Sequence, residues 1–255
     1  MRIDQSLPAV ALIALAVATV PSCKKEHHNP SGPCKIIGYY DTVTNRGAYS
    51  TSFTELSYDQ DGRISSVLSG KRDSLSIGWV FHYNGKKIVA TPNITNGPSV
   101  DTITLNDNGQ PVTLQFEEIN HAYRTHSDYF YGDSGQISYV IDYDRDGQPV
   151  DTPRYHYVNG DMTSIDYGNG NSTQYSYYTD KAASDAEFSR IISLSNYGVI
   201  FPSSKHMLKT VQASGYLDSF SYTFDNDGRI VSGQETEIAI GGIVIKRTYV
   251  YDCSQ

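Results

Sequence analysis

Apolar and polar residues alternate in short runs along much of the chain. Val112, Leu114 and Phe116 fall on one face of such a run, with Thr113, Gln115 and Glu117 on the other. Tyr216, Phe220, Tyr222 and Phe224 likewise share a face with Asp218. A period of two predicts antiparallel strands with one apolar, aromatic face and one wet face. Related turns separate the runs: YDQDGRISSV from Tyr58, LNDNGQPVTL from Leu105, YGDSGQISYV from Tyr131, YDRDGQPV from Tyr143 and FDNDGRIVSG from Phe224. HYNGKKIVA at His82 and YVNGDMTSI at Tyr157 are Asn-Gly versions. Asp or Asn before Gly supplies the positive φ angles that a tight hairpin needs. Gly62, Gly85, Gly109, Gly135 and Gly160 follow one another at intervals of 23, 24, 26 and 25, and Gly147 adds a turn midway through the last of these. Such a period marks a repeated supersecondary unit, here about 24 residues of two strands and two turns. The expected fold is therefore all-β: an antiparallel meander of hairpins whose edges are hidden by closing into a barrel or half barrel.

The alternation breaks between Asp180 and Val211. Ala182, Ala183, Ala186, Phe188, Ile191 and Ile192 predict a short helix over about 182–195, with Ser184 as a cap and an end near Asn196 and Gly198. An insertion of this kind either plugs or lids a barrel, or covers an exposed edge.

Composition narrows the partners. The chain has 255 residues, 28 acidic against 20 basic, a formal charge of −8, 21 Tyr and 21 Gly. That length holds one large β domain or two small ones. No Lys/Arg cluster supplies the basic surface that a phosphate backbone demands, so nucleic acid is excluded and a neutral or cationic partner, or none, is favoured.

Residues 1–22 read as a secretory signal: Arg2, then an apolar run from Leu7 to Val20 too short for a comfortable membrane span. The run ends at Val20-Pro21-Ser22-Cys23, which resembles the lipobox of bacterial lipoproteins and implies acylation of Cys23, with membrane anchoring through more than one chain. Residues 23–33 then form a lipid-anchored tether, rich in polar residues and Pro, before one β domain over 34–255. Lys24 and Lys25 directly after the anchor favour an outer-membrane lipoprotein on the periplasmic face. His27 and His28 sit adjacent on this tether, without a metal-ligand spacing. With Cys23 acylated, Cys34 and Cys253 remain. An even pair in an oxidising compartment is most simply a disulfide, the alternative being two free buried thiols. It would close a loop worth on the order of 4 to 5 kcal/mol on the chain-entropy model.

The lipobox, the Cys soon after it, the Tyr-Asp-x-Asp-Gly-Arg-Ile type hairpins, the interrupting SSKHMLKTV segment, the FDNDGRI turn and the closing Tyr249 to Cys253 together resemble a Bacteroidetes-type lipoprotein family of unknown function with a porin-like fold. The resemblance covers about 34–255, and the hairpin motif also resembles the YD repeats of Rhs-type proteins. It implies a barrel-like sheet and transfers no catalytic residue. The chain ends Cys-Ser-Gln, and its apolar face is mostly Tyr and Phe, unlike the Leu- and Val-rich lipid band of a membrane-spanning barrel. A barrel that stands in water on its anchor is expected.

No residue set dictates a reaction, and neither a catalytic group nor a cofactor is predicted. Gly132-Asp133-Ser134-Gly135 matches the short string around a serine-protease nucleophile but occupies a hairpin slot. Asp142, Asp144 and Asp146 copy the start of a calcium loop, whose twelfth position is Pro153 rather than Glu; no metal is predicted, and these three are its weak candidates. Glu117, Glu118, His121 and His126 form the only local His/carboxylate cluster and would carry the alternative reading, an envelope hydrolase acting on glycan or peptide. Asn93-Ile-Thr95 and Asn171-Ser-Thr173 match a glycosylation sequon, and Asp41-Thr-Val43, Asp73-Ser-Leu75 and Asp101-Thr-Ile103 a short O-glycosylation pattern. Trp79, Phe81 and Tyr83 on one strand, and Tyr139 and Tyr143 with Ile141 on another, are the ligand-binding candidates, since rigid aromatic faces with polar tips suit sugar rings and peptides. The alternative is that they fill the barrel. The expected role is a non-catalytic module that binds a glycan, a small apolar ligand or an envelope protein. A structural subunit of an outer-membrane complex, joined through sheet edges, is a third reading.

Overall fold

The computed structural model describes residues 34–71, 74–93, 100–116, 125–238 and 242–253. Its strands are β1 (Lys35–Asn45), β2 (Ala48–Tyr58), β3 (Ile64–Lys71), β4 (Ser74–Asn84), β5 (Lys87–Pro92), β6 (Asp101–Leu105), β7 (Pro111–Phe116), β8 (His126–Tyr131), β9 (Ile137–Tyr143), β10 (Pro149–Asp151), β11 (Arg154–Val158), β12 (Asp161–Gly168) and β13 (Asn171–Ala182), followed after one helix, α1 (Phe188–Tyr197), by β14 (His206–Ala213), β15 (Tyr216–Phe224), β16 (Ile230–Glu237) and β17 (Val244–Asp252). Successive strands pair antiparallel, except that β10 and β11 both pair with β9, and β17 returns to pair with β1 from Lys35↔Asp252 to Thr44↔Val244. The short β10 and β11 both lie against β9 and act as one interrupted strand, so the closed barrel has sixteen positions.

The meander explains the repeat. A unit of two strands brings the chain back to the same end of the barrel. The turns holding Gly62, Gly85, Gly109, Gly135 and Gly160 therefore all sit at one mouth, together with Cys34 and Cys253, while Gly147 turns at the other. In four turns the first Asp or Asn of the motif holds the backbone: Asp59 Oδ1 accepts from the N–H groups of Asp61 (3.0 Å) and Arg63 (2.9 Å), and Asn106, Asp144 and Asp225 repeat that pair of bonds. The side chain after the Gly links neighbouring turns, since Gln110 Nε2 donates to Gly135 O at 2.7 Å and Gln136 Nε2 to Gly160 O at 3.0 Å.

Sequence and structure differ over the helix. It starts at Phe188, because β13 stays in the wall as far as Ala182, paired with His206, and Ala183 N–H still bonds Lys205 O. Ser184 heads a turn through its bond from Ala186 N–H, and the cap is Glu187, whose carboxylate accepts from Ser189 N–H. Gly198 closes the helix with φ of 71°.

The helix and the chain after it fill the barrel from inside. Phe188, at 1% exposure, packs on Phe220, Tyr222 and Arg247 at one wall. At the other end Gly198 touches β4, where a Cβ would lie 2.7 Å from the Tyr83 hydroxyl. Ile191, Leu194, Tyr197, Val199 and Phe201 join Ile88, Ile103, Leu114 and Met207 in one core. Of the two expectations for the insertion, the structure has the plug. No helix among the described residues is long and apolar enough to cross a membrane, which says nothing of strands.

Candidate binding chamber

The register separates an inner from an outer face all round the wall. Tyr39↔Tyr249 and Asp41↔Arg247 point inward, and Tyr40↔Thr248 and Thr42↔Lys246 point outward. From β12 to β17 most outward positions are Ser, Thr or Gln, among them Ser164, Gln174, Ser176, Thr210, Gln212, Ser219, Ser221, Gln234 and Thr236, with Asp166, Leu217, Val244 and Lys246 between them. Hydroxyls bond one another across strands, as Ser176 does Thr210 (2.6 Å) and Thr223 does Ser232 (2.7 Å). This sector of the wall suits water rather than hydrocarbon, while Phe130, Tyr139 and Tyr143 form aromatic pairs on the outer face elsewhere.

Inside, the plug fills the half of the lumen near the disulfide. Its lower boundary is Phe188, whose ring lies over Gly233; a Cβ there would come within 2.6 Å of that ring. Arg247 lies at this level, 5% exposed and sandwiched between the rings of Tyr39 (4.2 Å) and Phe188 (4.5 Å). Its Nε and Nη2 donate to the two carboxylate oxygens of Asp41 at 2.7 and 2.8 Å. Burial deprives the guanidinium of water, but the Asp41 carboxylate outweighs that and holds it protonated.

Beyond this floor the inward side chains change character and become accessible from the far mouth. Asp218 stands directly opposite Glu237, and Glu235 lies next along the same face, opposite Phe220 and Ile245. Tyr216, Tyr175, Tyr155 and Tyr167 flank them, with Tyr167 40% exposed, and Ile77 on β4 faces in yet is 64% exposed. This end of the lumen, past the plug and carrying tyrosines and carboxylates at its inward positions, is termed the chamber. Burial, reinforced by repulsion from Glu237 and Asp218 respectively, raises the Asp218 and Glu235 carboxyls above the ordinary range. Burial likewise raises Tyr175 and Tyr216.

These raised values predict a pH effect of known sign. A carboxyl that holds its proton more tightly in the folded protein destabilises the fold once pH exceeds the unfolded value, and the penalty grows until pH passes the folded value. The double variant Asp218→Asn, Glu235→Gln is expected to melt higher than the parent at pH 7, with the gap closing towards pH 4. The turn carboxylates act in the opposite direction and are common to both proteins: at Asp59 burial is the largest single effect and raises the value, but the several bonds from Arg63 and Asp61 together outweigh it, and at Asp225 the backbone bond from Arg229 leads the lowering. Equal melting at both pH values would reject the assignment.

The sequence candidates go to different places. Phe81 is buried in the core, Trp79 packs against it, and the Tyr83 hydroxyl donates to Ile64 O at 2.9 Å, its pKa pushed up to about 12 by burial. Tyr139 and Tyr143 are on the outer wall, stacked on Phe130 (4.4 Å) and His126 (4.3 Å). Asp142 points inward and accepts from Ser127 Oγ, Asp144 is committed to its turn, and Asp146 is exposed, so the three diverge. No group of three or more His, Cys, Asp or Glu side chains gathers for a metal among the described residues. Ser134 sits in a tight turn with Gln136 as its side-chain neighbour. Cys23, the tether, Glu117, Glu118 and His121 lie outside the described residues. Cys34 and Cys253 are bonded, with their Cα atoms 4.2 Å apart. Sequence reasoning missed Glu235, Glu237 and Arg247. The available signal was charged residues in phase with inward apolar ones, as Arg247 is with Ile245 and Tyr249.

Comparison with known proteins identifies the architecture. A solved structure of a porin-like protein from Bacteroides uniformis ATCC 8492 superposes with a TM-score of 0.64 at 15% identity, over 86% of this chain and 99% of that one. The fold is thus of the porin-like type. Complexes of Pseudomonas aeruginosa MucB with MucA align at a TM-score of 0.13 and 9% to 10% identity, below what a common fold requires. No family model and no curated protein matches the sequence.

Proposed function

We propose that the protein is a lipid-anchored cell-envelope barrel that binds a ligand or partner at its far mouth without transforming it. The observation that carries this is the chamber, where Asp218, Glu235 and Glu237 face one another among tyrosines although like charges opposed across strands cost stability. Natural proteins retain such a cost at sites of function. Acidic groups beside aromatic rings suit a polar ligand that is neutral or cationic, such as a glycan or an amine-bearing chain. The Ser/Thr/Gln outer wall supports a barrel standing in water, and the plug argues against conduction through the lumen. Anchoring would run through Cys23 and a tether that enters at Cys34, leaving the chamber at the opposite end.

Binding of a panel of glucan oligosaccharides, spermidine and a lysine-rich peptide to the detergent-solubilised protein tests the proposal. At least one probe is expected to bind, and to bind much more weakly to the triple variant Asp218→Asn, Glu235→Gln, Glu237→Gln while its circular dichroism stays native. Equal binding by parent and variant would move the site elsewhere.

A further inference from the structure

We infer that Cys34–Cys253 is a site of thiol–disulfide exchange with a strongly reducing dithiol, primed by Arg229. The Asp-x-Asp-x-Arg turn occurs twice, at 59–63 and at 225–229, with the same internal bonds: Arg63 Nε to Asp59 Oδ2 at 2.8 Å, and Arg229 Nε to Asp225 Oδ2 at 2.7 Å. In the first copy the guanidinium rests over the Tyr83 ring at 4.3 Å. In both copies the second Asp takes Nη2 at 2.8 Å, Asp61 in the first and Asp227 in the second; what differs is that Nη1 of Arg229 is aimed at two sulfurs, 3.2 Å from Cys253 Sγ and in contact with Cys34 Sγ. Two carboxylates hold two arms of the fork and so decide where the third points.

A guanidinium donor on sulfur favours thiolate over thiol, which makes that sulfur the better leaving group. An attacking thiol reaches Cys253 from solvent, since Cys253 is exposed, while a cleft of about 480 Å³ lined by Cys34, Lys35, Tyr58, Arg229 and Tyr251 lies on the Cys34 side of the bond and leaves space for the departing thiolate. In the first step a thiolate of the dithiol attacks Cys253 Sγ. A mixed disulfide forms, the Cys34–Cys253 bond breaks, and its electron pair leaves on Cys34 as a thiolate held by Arg229. The second thiol of the reductant then attacks the mixed disulfide, releasing Cys253 and the oxidised reductant. Two electrons and two protons pass to the protein. The barrel stays closed, because β1 and β17 remain paired from Lys35↔Asp252 to Thr44↔Val244. Exchange therefore changes the base of the tether without unfolding the wall.

The test follows reduction of the oxidised, full-length, detergent-solubilised protein by dithiothreitol without denaturant, with alkylation to count thiols. Arg229→Gln is expected to slow reduction roughly tenfold, a leaving-group effect, while Arg63→Gln, in the matching turn, leaves the rate unchanged. Equal rates for Arg229→Gln and the parent would overturn the inference. Should that variant misfold, the reduced parent decides: its alkylation rate against pH is expected to show a thiol titrating below the usual value of about 8.5, and titration at or above that value would overturn it equally. Circular dichroism of the reduced parent is expected to match that of the oxidised protein.

Discussion

Arg247→Met is expected to destabilise the barrel by about 3–5 kcal/mol, because it leaves the Asp41 carboxylate inside the wall without its partner. The pair is bidentate and shielded: Arg247 is 5% exposed, and aromatic rings cover both faces of the guanidinium. For a domain of this size the loss corresponds to a fall in Tm on the order of 10 °C. The companion variant Arg247→Met, Asp41→Leu removes both charges and is expected to regain much of it, since a buried pair contributes less than the penalty of breaking it. Thermal melts of the single and double variants check this. A single variant within about 1 kcal/mol of the parent would mean that water reaches Asp41.

Phe188→Ala is expected to cost about 3–5 kcal/mol, the range for emptying a buried aromatic site. Its ring meets the floor of the chamber from the plug side and touches Phe220, Tyr222, Arg247 and the bare backbone of Gly233. The contact with Gly233 makes the prediction specific. In the parent, Gly233→Ala drives a methyl to 2.6 Å from the Phe188 ring and destabilises; in the Phe188→Ala background the same methyl enters vacated space. The effect of Gly233→Ala is thus expected to shrink or change sign between backgrounds, which a double-mutant cycle in urea reads directly. Additive costs would show that the helix does not press on β16.

Turns carry most of what was legible beforehand. Each Asp-x-Asp-Gly or Asn-Gly motif names its own backbone geometry, and a period of about 24 residues can only be an even number of strands returning to one end. The helix was visible as a break in alternation, but its start was misplaced by several residues, because Ala182 and Ala183 are helix formers that the sheet nonetheless keeps in register with His206 and Lys205. The aromatic candidates show a deeper gap. Trp79, Phe81 and Tyr83 alternate just as Tyr139, Ile141 and Tyr143 do, yet the first set fills the core and the second clads the outside. Alternation says that two faces differ and does not say which one is inside.

Local chemistry was therefore enough to set the all-β class, the hairpin repeat and the interrupting helix, since turn geometry and strand period act over a few residues; for Cys34 and Cys253 it left a disulfide or two free thiols, and the meeting of β1 with β17 decides for the bond. Closure of β17 on β1, the course of the plug through the lumen, the chamber and the convergence of Asp41, Phe188, Gly233 and Arg247 arise only once distant strands meet. Nothing in any one of those segments encodes its neighbours. Their meeting depends on register around the whole wall, where a slip of one residue would turn every side chain of a strand to the other face.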